Sequence, residues 1–431
     1  MNIVFFSTSA IHFEKEKLKV TQIPSCKENF DAIVKRFPEH KFFCVTQKPG
    51  DFLLDLDGSE LKEKCEGVTY IVDSGISAEE TAAAVLKCNP DIAIAATFWT
   101  VPFDWQGMKD SMTAEILERN GVKVFAHPVK SSLVCFDKAR THEVLQKAGI
   151  DVAPSVYVNH QLFWCAGNKG KVRENVYKDS VLFEIAKLKF PVVIKDTTGL
   201  SSYGMEVCTS FDEVKRFLCS KRNNSDRVVE QLICGQQFGT EVYCGQKDCI
   251  VFNPLEFSVN KYGITSPKLS IKKGPVTDEK YKIGELKVLL KKIAAELKLS
   301  GVFQVDLVFS EGRWFVIEIN PRLSGMSWTY AAALKKSPVE LLLENALGLL
   351  KEKDVNGKMM HAVNFKLPLQ EKDTLKNISG RKHVCYVHQI ENLAARQERE
   401  KGYLEVVLCS DDMADIEKEY VSIKSEFEKV S

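Results

Sequence analysis

Short apolar runs alternate with amphipathic stretches along the first part of the chain: NIVFFS, CKENFDAIVKRF, KFFCVT, SAEETAAAVLKC, DIAIAATF, TAEILERNG and VKVFAH. Strand, helix, strand in that order predicts a parallel sheet flanked by helices over residues 1–128. No GxGxxG occurs among these strands, so the layout carries no dinucleotide signature. From residue 129 the pattern changes to a helix, DKARTHEVLQKAG, which Gly149 stops. Residues 160–178, including the polar NHQLFWCAGNKGKVREN, read as a surface loop or insertion. FPVVIK, FDEVKRFLCS, DRVVEQLI and FGTEVYCG then supply a strand, a helix and two strands, a small α+β module. Beyond it, Leu286, Leu289, Leu290, Ile293 and Leu297 recur at helical spacing and form one apolar stripe on a core-facing helix.

The most informative stretch is Gly301–Gly325, GVFQVDLVFSEGRWFVIEINPRLSG. Period-two alternation sets Val302, Gln304, Asp306 and Val308 against Phe303, Val305, Leu307 and Phe309. In the second run it groups Phe315, Ile317 and Ile319 on one face and Trp314, Val316, Glu318 and Asn320 on the other. A three-residue turn, Ser310-Glu311-Gly312, would place Asp306 opposite Val316 and diagonal to Glu318. Two carboxylates and an amide on one face repel unless something binds there, and all-oxygen donors favour Mg²⁺ or Mn²⁺ over Zn²⁺. A solvated outer face would carry the same residues.

Composition narrows the classes. The chain has 431 residues with 59 Lys+Arg against 58 Asp+Glu, enough for two or three domains and too balanced for bulk attraction to nucleic acid or an anionic membrane. No apolar run approaches ~18 residues, and Glu14 and Lys15 interrupt the start too early for a signal-peptide core, so a cytoplasmic location is expected. The 13 cysteines are an odd, scattered set without CxxC pairs. The nearest two, Cys244 and Cys249, fall in a predicted hairpin, and all are expected to be reduced.

Two weaker features remain. Phe190–Lys195, a buried strand, delivers Lys195 ahead of DTTGLSSYG, a loop of small and hydroxylated residues able to face phosphate, though it equally describes a surface turn. Arg227–Glu241, RVVEQLICGQQFGTE, puts an acid at a strand end before another strand, a common arrangement in any α/β protein.

In this order and at these separations, Asp137-Lys138 ahead of a helix ending in AGIDVAP, PVVIK with its loop, VVEQLICG, and VFQVD…VIEINPRLSG resemble the ATP-grasp superfamily, carboxylate–amine ligase type, from about Asp137 to Gly325. The resemblance implies an α/β and α+β fold: an N-terminal parallel α/β domain (1–128), a central module with lid and phosphate loop (129–233), a catalytic module with antiparallel sheet and metal site (234–355), and a C-terminal appendage (356–431). It implies ATP contacts from Lys138, Lys195, Ser201, Ser202, Gly204, Glu230, Gln231, Leu232 and Gln237, with the Glu230–Leu232 segment reading adenine through backbone groups. Gln237 stands where relatives often carry a ribose-binding Glu, and Ser201-Ser202-Tyr203-Gly204 replaces a double Gly. Asp306, Glu318 and Asn320 match the Mg²⁺ ligands, and Arg322 with Lys195 the catalytic cations. Glu241, Arg322, Ser324, Gly325, Met326 and Trp328 become candidate substrate contacts, Glu241 for an ammonium and Arg322 for a carboxylate. The implied activity is activation of a carboxylate, an amino acid in the first instance, as an acyl phosphate that an amine then attacks. Small-molecule substrates, no nucleic-acid or membrane partner and a homodimer follow as expectations. A bicarbonate-dependent carboxylase or carbamoyl-type enzyme shares the EINPR segment, and a non-catalytic nucleotide-binding module is the third reading.

Overall fold

The computed structural model describes residues 1–7, 18–46, 64–73, 77–98, 107–165, 173–198, 205–245, 248–260, 270–392 and 401–427. The expected parallel sheet is present. Asn2–Ser7 lies at its centre, with Lys41–Thr46 and Val68–Val72 on one side and Ile92–Ala95 and Lys123–Phe125 on the other. Its central strands are near-continuously apolar because helices cover both faces. Helices Cys26–Arg36 and Ala78–Leu86 begin at capping boxes, Ser25 with Glu28 and Ser77 with Glu80.

A second, antiparallel sheet runs in the order Ser155–Val158, Arg227–Gln231, Val192–Asp196, Glu206–Cys208. Part of the stretch read as loop is helical here. The Asn159 side chain accepts from the Leu162 N–H to start His160–Trp164, whose Phe163 is buried, and Asn175 caps Val176–Ile185. One buried ring and an Asn cap at each helix start outweigh the polarity of the exposed positions. Residues 166–172 lie outside the described residues.

The third sheet holds ten strands. Its path runs Arg313–Asn320, Gly301–Ser310, Gln236–Cys244, Leu255–Phe257, Lys272–Gly274, His361–Leu367, Gly402–Ser410, Val384–Asn392, Leu18–Ile23, with Cys249–Val251 beside Gln236–Cys244. It crosses the boundary expected at 355/356 without a break and takes its last strand from the N-terminal segment. Without these pairings the intervening edges would leave ladder groups unbonded. The expectation of reduced cysteines fails at one pair. Cys244 and Cys249 are directly opposed across the hairpin, Cα atoms 4.1 Å apart, and form a disulfide. Ten other cysteines, from Cys44 to Cys409, are free, and six of them are buried.

Residues directly opposed across a ladder share a face. On one face Phe303, Val305 and Leu307 join Phe238 and Val242 in a core closed by Leu286, Leu290 and Ile293 of the helix Ile283–Glu296. The other face carries most of the chemistry.

Candidate active site

The hairpin that delivers the acids differs from the predicted one. Its turn has two residues, Glu311 at φ 50° and Gly312 at φ 74°, with Ser310 paired to Arg313. Two positive φ values in succession match the twist of a tight hairpin. That register alone would place Ile317 opposite Asp306. A bulge at this point inserts one residue into the second strand, so Asp306 pairs directly with Glu318 and Gln304 with Asn320. The predicted faces of the second strand are therefore corrected: Trp314, Val316 and Ile319 all enter the core, while Glu318 and Asn320 reach the Asp306 face.

Desolvation first, and Glu318 second, push the Asp306 carboxyl up to about 7. Gln304 and Asn320 fix the surrounding geometry. Arg322 Nη2 donates to Asn320 Oδ1 (3.1 Å), Asn320 Nδ2 to Gln304 Oε1 (2.8 Å), and Gln304 Nε2 to Asp306 Oδ1 (2.6 Å). Two opposed carboxylates and an amide are oxygen donors of the kind Mg²⁺ takes, and their mutual repulsion is what a bound cation would relieve. Among the described residues no group of three or more His, Cys, Asp or Glu side chains is placed for a metal, so the donor set is these two acids plus Asn320.

Opposite the hairpin, Asp137 caps the helix Lys138–Lys147 by accepting from the Ala139 and Arg140 amides, and the Lys138 amide donates to Thr197 O at 2.8 Å. Lys138 Nζ then meets Glu318 Oε1 at 3.1 Å. Lys195 Nζ pairs with Glu230 Oε1, and His142 Nε2 lies 3.7 Å from Glu230 Oε2. Burial lowers the His142 pKa although Glu230 pulls it the other way, so the ring is held neutral.

Between these elements lies a cleft of about 870 Å³, counting its open mouth. Its walls include Lys138, Lys195, Glu230, Gln231, Leu232, Gln237, Asp306 and Glu318 of the expected set. Sequence reasoning missed the apolar walls Ala153, Val193, Met205 and Phe257, which fold in from four separate segments. It also missed His142, although its i+4 spacing from Lys138 puts both on one helix face. The Gln231 and Leu232 amides donate to Pro154 O and Pro191 O, at 2.9 and 3.0 Å. Ser201, Ser202 and Gly204 lie outside the described residues.

The substrate candidates separate from the cleft. Glu241 is fully buried; Ser324 Oγ (2.8 Å) and Ser327 Oγ donate to Oε1 and Tyr243 OH (3.2 Å) to Oε2. The ammonium contact expected of Glu241 is thus taken by internal hydroxyls, and the acid instead braces the turn that follows Arg322. Trp328 and Met326 are core residues rather than pocket walls; Trp328 is 4% exposed and stacks on Tyr386 with centroids 4.2 Å apart. Arg322 remains near the acids, helping to hold down the Asp306 pKa, whereas Gly325 lies against Lys272.

A family model described as an ATP-grasp domain matches residues 135–326. The carbamoyl-phosphate synthase of Methanobrevibacter smithii is 23% identical over 264 residues, 61% of this chain and 65% of that relative. The match therefore spans under two thirds of that relative's length. Among solved structures, an L-amino acid ligase from Bacillus licheniformis superposes with a TM-score of 0.65 at 17% identity, covering 99% of this chain and 97% of that one. The biotin carboxylase domain of the Hydrogenobacter thermophilus 2-oxoglutarate carboxylase, solved with MgADP and bicarbonate, gives 0.64 at 13% identity, covering 99% and 90%. Family model and the acids gathered on one sheet face agree: residues 135–326 form an ATP-grasp domain.

Proposed function

We propose that the chain is an ATP-dependent carboxylate–amine ligase. The observation that carries this reading is the bulge that sets Asp306 against Glu318 in the same cleft as Lys138 and Lys195, with Arg322 bonded to the third oxygen donor. Asp306, Glu318 and Asn320 would hold Mg²⁺, which supplies charge neutralisation to the phosphates. Lys138 and Lys195 are each paired with an acid and can turn from it to phosphate oxygens, while the apolar walls Ala153, Val193 and Met205 suit a purine base. Arg322, one residue beyond the Asn320-Pro321 step, presents a planar fork toward a substrate carboxylate or the transferred phosphoryl group.

A carboxylate oxygen attacks the γ-phosphorus and ADP leaves. An amine then attacks the acyl carbon, inorganic phosphate departs with the bonding pair, and the amine proton is released. No covalent protein nucleophile is required, in keeping with a cleft that offers cations and acids but no Ser–His or Cys–His pair among its described walls. The test is phosphate release from ATP and Mg²⁺ with pooled amino acids. Amine-dependent release is expected, and its absence across a broad panel would overturn the reading. Release stimulated by bicarbonate with no amine present would favour the carboxylase or carbamoyl alternative, to which the carbamoyl-phosphate synthase and biotin carboxylase likenesses lend support.

A further inference from the structure

The polar face of the large sheet does not end at the metal acids. Ladder pairing continues it from Asp306 to Gly239 and Leu255, from Phe257 to Lys272, and from Lys272 to Asn364. Two residues along, Lys366 opposes Glu405 and Glu405 opposes His388. Lys272, Glu405 and His388 therefore look out on the same side as Asp306 and Glu318. Neither the NPRLSG turn nor the nucleotide cleft contains them.

Lys272 holds a particular place in this row. Its Nζ lies 3.2 Å from where a Cβ on Gly325 would sit, so the ammonium rests directly on the turn that follows Arg322. Its charge reaches Asp306, Glu241 and Glu405, opposing the upward push of burial on the first two and helping to lower the pKa of the third. Its ion pair among the described residues is loose, 3.8 Å to Glu405 Oε1, with the Lys side chain 16% and the Glu side chain 6% exposed. Asn364 hydrogen-bonds the Glu405 carboxylate, but its buried Oε1 has no hydrogen-bond partner among the described residues. Lys272 is thus steered by a buried acid without being saturated by it, and its donors remain available toward the reaction site.

We infer that Lys272, propped by Glu405, is the anchor for a second carboxylate, carried by the amine substrate. This inference rests on the ligase reading above. Arg322 and the metal acids serve the carboxylate that is activated. A second cation across the Gly325 turn, on the side away from the nucleotide, can hold the carboxylate of an α-amino acid while its amine points back to the acyl carbon. The product would then keep a free carboxylate, as a dipeptide does. Gly325 leaves room for the ammonium, since a Cβ there would press on it and shift it by a few tenths of an ångström.

The test pairs acceptors that differ only at this group: glycine against glycinamide, and L-alanine against L-alaninamide, with L-alanine or another donor that supports turnover. The wild-type protein is expected to prefer the acids. Lys272→Met should lower kcat/KM for the acids by about 10- to 100-fold, mainly through KM, and collapse the acid-to-amide ratio toward one; Lys272→Arg should restore part of it. Equal use of acids and amides by the wild type, or an equal loss on both in Lys272→Met, overturns the inference and leaves the ligase reading standing. Calorimetric binding of the same compounds in ADP and Mg²⁺ separates the remaining cases. Carboxylate-dependent binding that Lys272→Met loses, without any amine-dependent turnover, would sink the ligase reading and with it the assignment of the Lys272-bound carboxylate to an attacking amine. No carboxylate-dependent binding and no turnover would remove both.

Discussion

The two halves of the large sheet present charge on the same face and manage it differently. Around the hairpin half each cation has a close partner: Lys138 on Glu318, Lys195 on Glu230 of the facing four-stranded sheet, and Arg322 on the Asn320 amide oxygen. On the distal half, Lys272 stands 3.8 Å from Glu405 Oε1, which has no hydrogen bond among the described residues. Matched pairs suit a ligand that brings both signs of charge, since a metal–polyphosphate can take the acids with its metal and the lysines with its oxygens. A loosely paired cation suits a ligand that brings one small anion. The near half is thus built to exchange partners and the far half to acquire one.

The largest effect is expected at Glu318. Glu318→Gln keeps the side chain's size but removes one of two opposed carboxylates and the partner of Lys138. Mg²⁺-dependent phosphate release is expected to fall about 10³-fold. A fall of tenfold or less would show that these acids are ordinary surface groups. If Lys272→Met weakened ADP binding as much as Glu318→Gln does, the two halves would be one site.

A smaller effect, on stability, concerns the matched pairs. Lys195→Met strands Glu230, whose side chain is 4% exposed, beside a neutral, buried His142. Removing one member of a buried pair typically costs about 3–5 kcal/mol, so denaturant unfolding should show a loss of that order. The double variant Lys195→Met/Glu230→Gln should recover much of it. With Lys195 gone, one cause that lowers the His142 pKa is also removed, and NMR titration of the ring should show it rise. A loss that the double variant fails to repair would mean that Lys195 stabilises by packing rather than by pairing.

How much of this could be read in the sequence follows the same division. The parallel sheet, the helix stripe at Leu286–Ile293 and the acids Asp306 and Glu318 were legible because each depends on a local period or a contiguous motif. The faces of Arg313–Asn320 were not, because strict alternation cannot register an extra residue, and here one bulge decides which side of the sheet Glu318 serves. Lys272 was illegible for another reason. It becomes a neighbour of Gly325 and Glu405 only after strands distant in the chain have paired, and no short motif encodes that ladder. Glu241 shows the converse: a charge that looked available in the sequence is enclosed by hydroxyls once the fold is formed.

Glu241 also lies between the two halves, on the strand next to Asp306, and it gives the smallest and most discriminating test. Burial pushes its carboxyl from 4.5 up to about 7, against the pull of Ser327, Ser324, Tyr243 and Lys272. Because the folded-state pKa exceeds the unfolded one, the folded protein holds a proton between these values that the unfolded chain has released. Stability from this group is therefore present below pH 4.5 and is lost as pH rises through about 7. Glu241→Gln cannot ionise, so its stability relative to the wild type should increase across that window, by at most about 3 kcal/mol, and level off above it. Urea unfolding at pH 5, 6, 7 and 8 measures the gap directly. Repeating the series with Lys272→Met, which removes the cation favouring the ionised acid, should move the midpoint of the change to higher pH. A gap independent of pH would mean that Glu241 is ionised throughout and belongs electrostatically with Lys272 and the distal half, and the sheet's polar face would then have to be treated as a single charged surface.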